Sequence, residues 1–202
     1  MKPYLLSLLL VFLLAGAGEP ARDLYLLSRD YSVTIDGTSN LRDWKENVCE
    51  VSGAMEADLN PDGSIGLNAI RISMGVLSIK SDMGRVMDNK TYEALKANTN
   101  PQILFTLNTP LKLTPVRDCE TAIPVKGTLS LAGVSRPVTM LVKTFEITRG
   151  KLEFEGYQYL KMTDFGVRPP TALFGTMRAS PDITIHFKTN FTNQPISNNL
   201  KN

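Results

Sequence analysis

The residues able to do acid–base chemistry in this chain are few and scattered. His186 is the only histidine among 202 residues. It alternates out of phase with Ile185 and Phe187, so it should face away from the apolar side of its strand. A hydrolase triad needs a histidine beside a nucleophile and an acid, and the sequence has no G-x-S-x-G elbow. We therefore predict no catalytic residue; an enzyme acting on lipid-like substrates is the weaker alternative.

The two cysteines, Cys49 and Cys119, have no metal-ligand spacing with each other or with His186. No metal and no cofactor is predicted. In an oxidising compartment the two thiols are candidates for a disulfide, which would contribute about 4 kcal/mol by closing so long a loop. Two buried free thiols are the alternative.

The N-terminus has the organisation of a secretory signal peptide. Lys2 precedes an apolar run from Leu5 to Leu14, and Ala15-Gly16-Ala17 is a small-x-small cleavage pattern. The run is too short to span a bilayer comfortably. We predict a signal peptide over residues 1–17 and a periplasmic or secreted protein; an uncleaved anchor is the alternative.

The charge balance excludes one class of partner. The chain has 22 basic and 20 acidic residues, a net charge of +2, and no run of like charges. Nucleic-acid-binding domains usually carry a clustered basic face. The composition therefore predicts no nucleic-acid partner.

The elements that must position any site are mostly strands. From Gly127 to Val142, apolar residues recur at a period of two on either side of a turn at Gly133, which predicts an antiparallel hairpin. A change of apolar parity at Ala69-Ile70 indicates a bulge or a strand buried on both faces. Residues 88–98 predict one short helix with Asp88 as its N-cap.

The count of eight to ten strands favours an all-β fold, either a sandwich or a closed antiparallel barrel. We place this domain at residues 24–192 and predict a disordered polar tail over 193–202.

Five blocks in order resemble the YceI-like family. Residues 37–44 are similar to an opening block in which histidine commonly stands in place of Arg42. The others are the insert at 78–96, the P-x-I-x-F strand at 100–105, the G-x-L-x-L-x-G-V-S-R-P-V block at 127–138, and the D-F-G strand end at 162–167. The resemblance implies a lipocalin-like closed barrel of about eight strands that binds polyisoprenoid lipids, often as a homodimer.

A barrel of this size encloses one slender ligand at most. The ligand-binding candidates are the apolar residues predicted to face inward: Phe105, Leu107, Leu129, Leu131, Met140, Val142, Phe154, Ile185 and Phe187. Trp44 and Phe165 are further candidates, which could close the mouth of the barrel. We predict an exported protein that holds a polyisoprenoid, quinone or related lipid for transport or storage, with transient membrane contact. The alternative is a non-catalytic envelope stress or interaction module whose barrel is filled.

Overall fold

The structure, a computed structural model, describes residues 23–114, 122–148 and 150–194. One α-helix, α1 (Arg85–Ala94), accompanies the strands within these ranges. The strands are β1 (Asp23–Ser39), β2 (Trp44–Val48), β3 (Val51–Leu59), β4 (Ile65–Gly75), β5 (Ile79–Ser81), β6 (Gln102–Leu107), β7 (Leu111–Leu113), β8 (Ile123–Leu131), β9 (Val134–Thr148), β10 (Lys151–Lys161), β11 (Thr171–Ala172) and β12 (Met177–Asn193).

Eight antiparallel strands close into a barrel. Around the ring the order is β12-β10-β9-β8-β6-β4-β3-β1, and pairing of β1 with β12 completes the circle. That last pairing runs from Tyr25 opposite Asn193 to Ser39 opposite Ala179. The predicted closed barrel of about eight strands is therefore confirmed.

The long strand β1 changes partner along its length. Residues 23–26 pair with β3, whereas residues 34–37 pair with β2, which in turn pairs with β5. The short strands β2 and β5 thus form a flap at one end of the barrel, and α1, which follows β5, contacts β5 at that end.

The bulge predicted from the apolar parity is confirmed in β4. Glu56 pairs with Ala69 and Ala57 pairs with Leu67, so Asn68 is the extra residue. Its side-chain amide donates to Asp58 Oδ2 at 2.6 Å. The bulge lets Leu67 and Ile70 both face the interior, although they are an odd number of positions apart, three, in the strand.

The predicted helix exists, but its limits and its N-cap were wrong. The helix begins at Arg85, not Asp88, after Gly84 with φ of +83°. Asp88 lies inside the helix and is buried, where its carboxylate accepts a hydrogen bond from the Ser81 backbone N–H at 2.7 Å. Asp88 resembles an N-cap in sequence because Asp is among the residues preferred at that position, whereas its contact with β5 has no local sequence signal.

The apolar core divides into two clusters, one at each end of the barrel. The cluster at the α1 end contains Val76, Ile79 and Phe165. The cluster at the opposite end contains Tyr25, Leu152 and Phe191, each 1% exposed. That opposite end is therefore plugged by tightly packed side chains.

Several predictions concern residues outside the described ranges. The signal peptide at 1–17, Cys119 and most of the predicted tail belong here. Asn193 ends β12, and the Gln194 N–H donates to the Leu24 carbonyl at 2.9 Å, so ordered structure extends two residues past the predicted domain limit. Cys49 is exposed, unlike the buried thiol of the alternative interpretation, and its pairing with Cys119 stays a prediction. No helix among the described residues is long and apolar enough to cross a bilayer.

Candidate functional site

A central cavity runs through the barrel interior. It offers about 120 Å³ to the centre of a water-sized sphere. Seven of the predicted ligand-binding residues line it: Phe105, Leu129, Met140, Val142, Phe154, Ile185 and Phe187. Gln158 and Thr189 are the polar residues among the described residues of its wall.

A second cavity, the end chamber, lies at the α1 end of the barrel and offers about 80 Å³ by the same measure. Three more predicted residues, Trp44, Leu131 and Phe165, line it. Ile185 borders both the end chamber and the central cavity, so the two spaces are neighbours along the barrel.

Trp44, a candidate for closing the mouth, lies at the outer limit of the end chamber. A wide outer cleft of about 960 Å³ lies outside the end chamber, and Trp44, Leu160 and Ile183 border both spaces. The indole N–H of Trp44 donates to the Thr38 carbonyl at 3.1 Å. Cleft, end chamber and central cavity therefore follow one another in series, separated by side chains.

Leu107 is the predicted site residue that the structure does not bring to either cavity. It is half-buried and packs against the cluster at the plugged end. It lies at the last position of β6, where it pairs with Gly127. Leu107 therefore faces the same side of the strand as Phe105 but lies nearer the plugged end of the barrel.

Aromatic rings lie against glycines of the barrel wall at three places. A Cβ on Gly37 would overlap the indole of Trp44, one on Gly127 would overlap the ring of Phe105, and one on Gly156 would meet Phe187 Cζ at 2.6 Å. Gly37 pairs directly with Trp44, and Gly156 directly with Phe187. Glycine lets a ring approach the backbone closely.

The sequence prediction missed two polar residues that face the interior. Glu46 is 4% exposed and borders the end chamber. Gln158 borders the central cavity. Both occupy positions that alternate with inward-facing apolar residues of the same strand. Glu46 is two positions from Trp44 and from Val48, and Gln158 is two positions from Leu160 and four from Phe154. This alternation was a signal that could have found them.

Burial sets the electrostatics of Glu46. Burial raises the pKa of its carboxyl above the ordinary value; a hydrogen bond from Thr91 lowers that pKa, and the nearby Asp88 and Asp82 raise it again. The Thr91 hydroxyl donates to Glu46 Oε1 at 2.5 Å. The net upward shift favours the neutral acid, because a charge in an apolar chamber is poorly solvated.

His186 lies on the outer face of the barrel, as predicted from its parity. It is exposed, and its Nε2 is 3.4 Å from Asp36 Oδ2. Among the described residues no three His, Cys, Asp or Glu side chains are grouped so that they could hold a metal ion.

A closed antiparallel barrel with an apolar interior and a helix beside one end defines a protein of the lipocalin-like class. The profile of the YceI-like domain matches residues 31–191. The chain belongs to the YceI-like family, as its sequence blocks predicted. No protein of curated function matched the chain in sequence.

Solved structures of the same fold come from several bacteria. A polyisoprenoid-binding domain from Saccharophagus degradans, implicated in plant cell wall breakdown, superimposes with a TM-score of 0.62 at 11% identity, covering 86% of this chain and 100% of that one. BcnA of Burkholderia cenocepacia gives 0.58 at 18% identity, with 79% and 95% covered. A YceI protein of Campylobacter jejuni gives 0.56 at 18% identity, with 74% and 84% covered.

Proposed function

We propose that this protein binds a long apolar lipid, such as a polyisoprenoid, in the barrel interior and carries or stores it outside the cytoplasm. The observation that carries the proposal is the central cavity, whose described wall is apolar except for Gln158 and Thr189 and contains no charged residue. A structural relative is described as polyisoprenoid-binding. Each buried methylene contributes about 0.8 kcal/mol, so burial alone suffices for binding.

The cavity must widen to accept such a ligand. Ligand pockets commonly span about 300–1,000 Å³, whereas the central cavity offers about 120 Å³. Met74 and Met140 both line it, and methionine side chains adapt readily to new neighbours. We infer that these two side chains change rotamer when a chain enters.

Export is part of the proposal because the predicted signal peptide at residues 1–17 directs the chain to the periplasm or outside the cell. We also propose that binding is not accompanied by catalysis, since His186 lies on the outer face of the barrel. Assembly as a homodimer stays a prediction.

Transport requires exchange with a membrane, and one end of the barrel is suited to contact it. Leu41 is 55% exposed and Phe174 is fully exposed. Their loops are joined, because the Asn40 side chain donates to the Thr176 carbonyl at 2.9 Å. The Leu41 loop lies beside the outer cleft, which Asp43 lines together with Trp44. We propose transient insertion of these apolar tips into a bilayer surface.

Native mass spectrometry of the exported chain, mixed with prenols and with quinones, tests the proposal. Ile185→Trp should abolish binding, because Ile185 borders both cavities. His186→Trp is the matched control, since the next residue on the same strand is exposed on the outer face. Absence of lipid from the unaltered chain, or equal binding by both variants, would contradict an interior site.

The second candidate is an interaction module whose interior stays filled. The small volume of both cavities favours it. In that case lipid does not bind, and the larger side chain of Ile185→Trp changes only the melting temperature. The same experiment therefore separates the two functions.

A further inference from the structure

Two polar side chains, Gln158 and Glu46, lie at one level of a barrel wall that is mostly apolar. Gln158 on β10 pairs with Ile185 on β12, Ile185 pairs with Ile35 on β1, and Ile35 pairs with Glu46 on β2. These four residues form a row across four neighbouring strands. With strands about 4.8 Å apart, Gln158 and Glu46 are separated by about 14 Å along the curved wall, and both face inward.

The side-chain carbonyl of Gln158 has no hydrogen-bond partner among the described residues. Its Oε1 is buried and unsatisfied, while its Nε2 donates to the Tyr159 carbonyl at 2.6 Å. That hydrogen bond fixes the orientation of the amide, because a flipped amide would oppose two carbonyl oxygens. A buried acceptor without a donor is costly, so a donor supplied by a ligand would be bound favourably there.

The other end of the row is also prepared for hydrogen bonding. Glu46 is held by Thr91. Asp88, which lies nearby, is already occupied by the Ser81 N–H and by Lys80, whose Nζ is 3.6 Å from Asp88 Oδ2. No Lys, Arg or His belongs to the wall of either cavity within the described chain. A phosphate at the junction would therefore meet the Glu46 carboxyl and no cation to pair with.

We propose that the junction between the central cavity and the end chamber binds the uncharged, hydrogen-bond-donating head group of the lipid. Gln158 Oε1 accepts from a head-group hydroxyl or N–H, the Glu46–Thr91 pair bounds the other side, and the apolar tail fills the central cavity. The proposal rests on the proposed function and makes it more specific: lipid alcohols, phenols and amides bind, whereas lipid phosphates with the same tail are rejected.

Trp44 makes the test direct, because it is the only tryptophan of the chain and it lines the end chamber. Its fluorescence is titrated with three compounds that share one tail: farnesol, farnesyl phosphate and the hydrocarbon farnesene. We expect farnesyl phosphate to bind at least about tenfold more weakly than farnesol, since burying an unpaired phosphate is strongly unfavourable. Equal affinity of the alcohol and the phosphate would overturn the proposal.

Variants assign the effect to the head group. Gln158→Leu should weaken farnesol about fivefold, as expected for one lost hydrogen bond, and leave farnesene unchanged. Glu46→Leu should weaken farnesol by a similar factor, whereas Glu46→Gln keeps the hydrogen-bonding groups and should change it less than twofold. Gln102→Leu is the matched control, because Gln102 is exposed on the outer face of β6.

The outcomes distinguish this proposal from the broader one. If Gln158→Leu weakens farnesol and farnesene equally, Gln158 supports the wall and does not bind the head group, and the inference is wrong although lipid binding stands. If none of the three compounds binds the unaltered chain in fluorescence or in mass spectrometry with longer prenols, the proposed function fails and this inference fails with it.

Discussion

Replacing Gly37 with alanine tests whether the Trp44 ring closes the end chamber. A Cβ at Gly37 would lie within 3.0 Å of three indole atoms of Trp44, which are its three nearest neighbours. The nearest indole atom, 2.1 Å from that Cβ, must therefore retreat by about 1.5 Å to restore ordinary carbon–carbon contact. Gly37 is buried on the inner face of β1, so the ring is displaced toward the end chamber or the outer cleft.

The cost follows from the contacts that the ring loses. Breaking the hydrogen bond from Trp44 Nε1 to the Thr38 carbonyl costs about 1 kcal/mol, and crowding at a packed site adds about 1–3 kcal/mol. The smaller conformational freedom of alanine in the unfolded chain offsets about 0.5–1 kcal/mol. The net loss of about 2 kcal/mol lowers the melting temperature by about 4–8 °C in a domain of this size.

The functional consequence is faster ligand exchange, since Trp44 separates the end chamber from the outer cleft. Stopped-flow transfer of a bound fluorescent prenol to vesicles measures the rate. Gly66→Ala is the matched control, because Gly66 is also a strand glycine and a Cβ there would find its nearest neighbour at 3.8 Å. Unchanged Trp44 emission and unchanged transfer in Gly37→Ala would refute the role of the ring as a closure.

Further predictions concern stability and membrane contact. Burial holds the pKa of Glu46 above its value in the unfolded chain, so the folded chain loses stability as the pH rises through that raised pKa. Glu46→Gln removes this ionisation and should therefore raise the melting temperature near pH 8 but have little effect near pH 4. Circular dichroism at the two pH values measures the difference. Phe154→Ala should cost about 3–5 kcal/mol in urea unfolding, because Phe154 is 6% exposed and packs edge-on against Phe191 with ring centroids 6.1 Å apart. Phe187→Ala should cost less, since the Phe187 side chain is only partly buried. Phe174→Gly should slow prenol transfer to vesicles without lowering the melting temperature, because Phe174 is fully exposed at φ of +55°, a backbone conformation that glycine adopts without strain.

The sequence predicts the strands and their inward residues well, because alternation is a local signal. The bulge at Asn68 followed from one change of parity. Closure of the barrel has no such local signal, since residues of β1 pair with residues of β12 about 150 positions later in the chain. The prediction of a closed barrel came from the family resemblance. The limits of α1 were wrong because Asp88 bonds to Ser81 of the neighbouring strand, a contact that exists only in the folded chain.

The candidate site was predicted in its apolar part and missed in its polar part. Reading only the apolar residues of each strand found Phe105 and Phe187 but passed over Glu46 and Gln158 at equivalent inward positions. A polar side chain at an inward-facing position is unfavourable unless it has a hydrogen-bond partner or takes part in the function. Such positions are therefore the places where a sequence of this fold carries information about its ligand.

The glycine–aromatic pairs explain how a barrel of eight strands keeps an interior cavity. At this strand number, side chains pointing inward are just able to fill the interior. Phe105 and Phe187 instead lie over Gly127 and Gly156, so each ring occupies the space of a missing side chain against the wall and extends less far into the lumen. The rings still contribute their apolar surface to the cavity. We infer that this aromatic wall and the two methionines would let the narrow cavity widen around a lipid without any change in strand pairing.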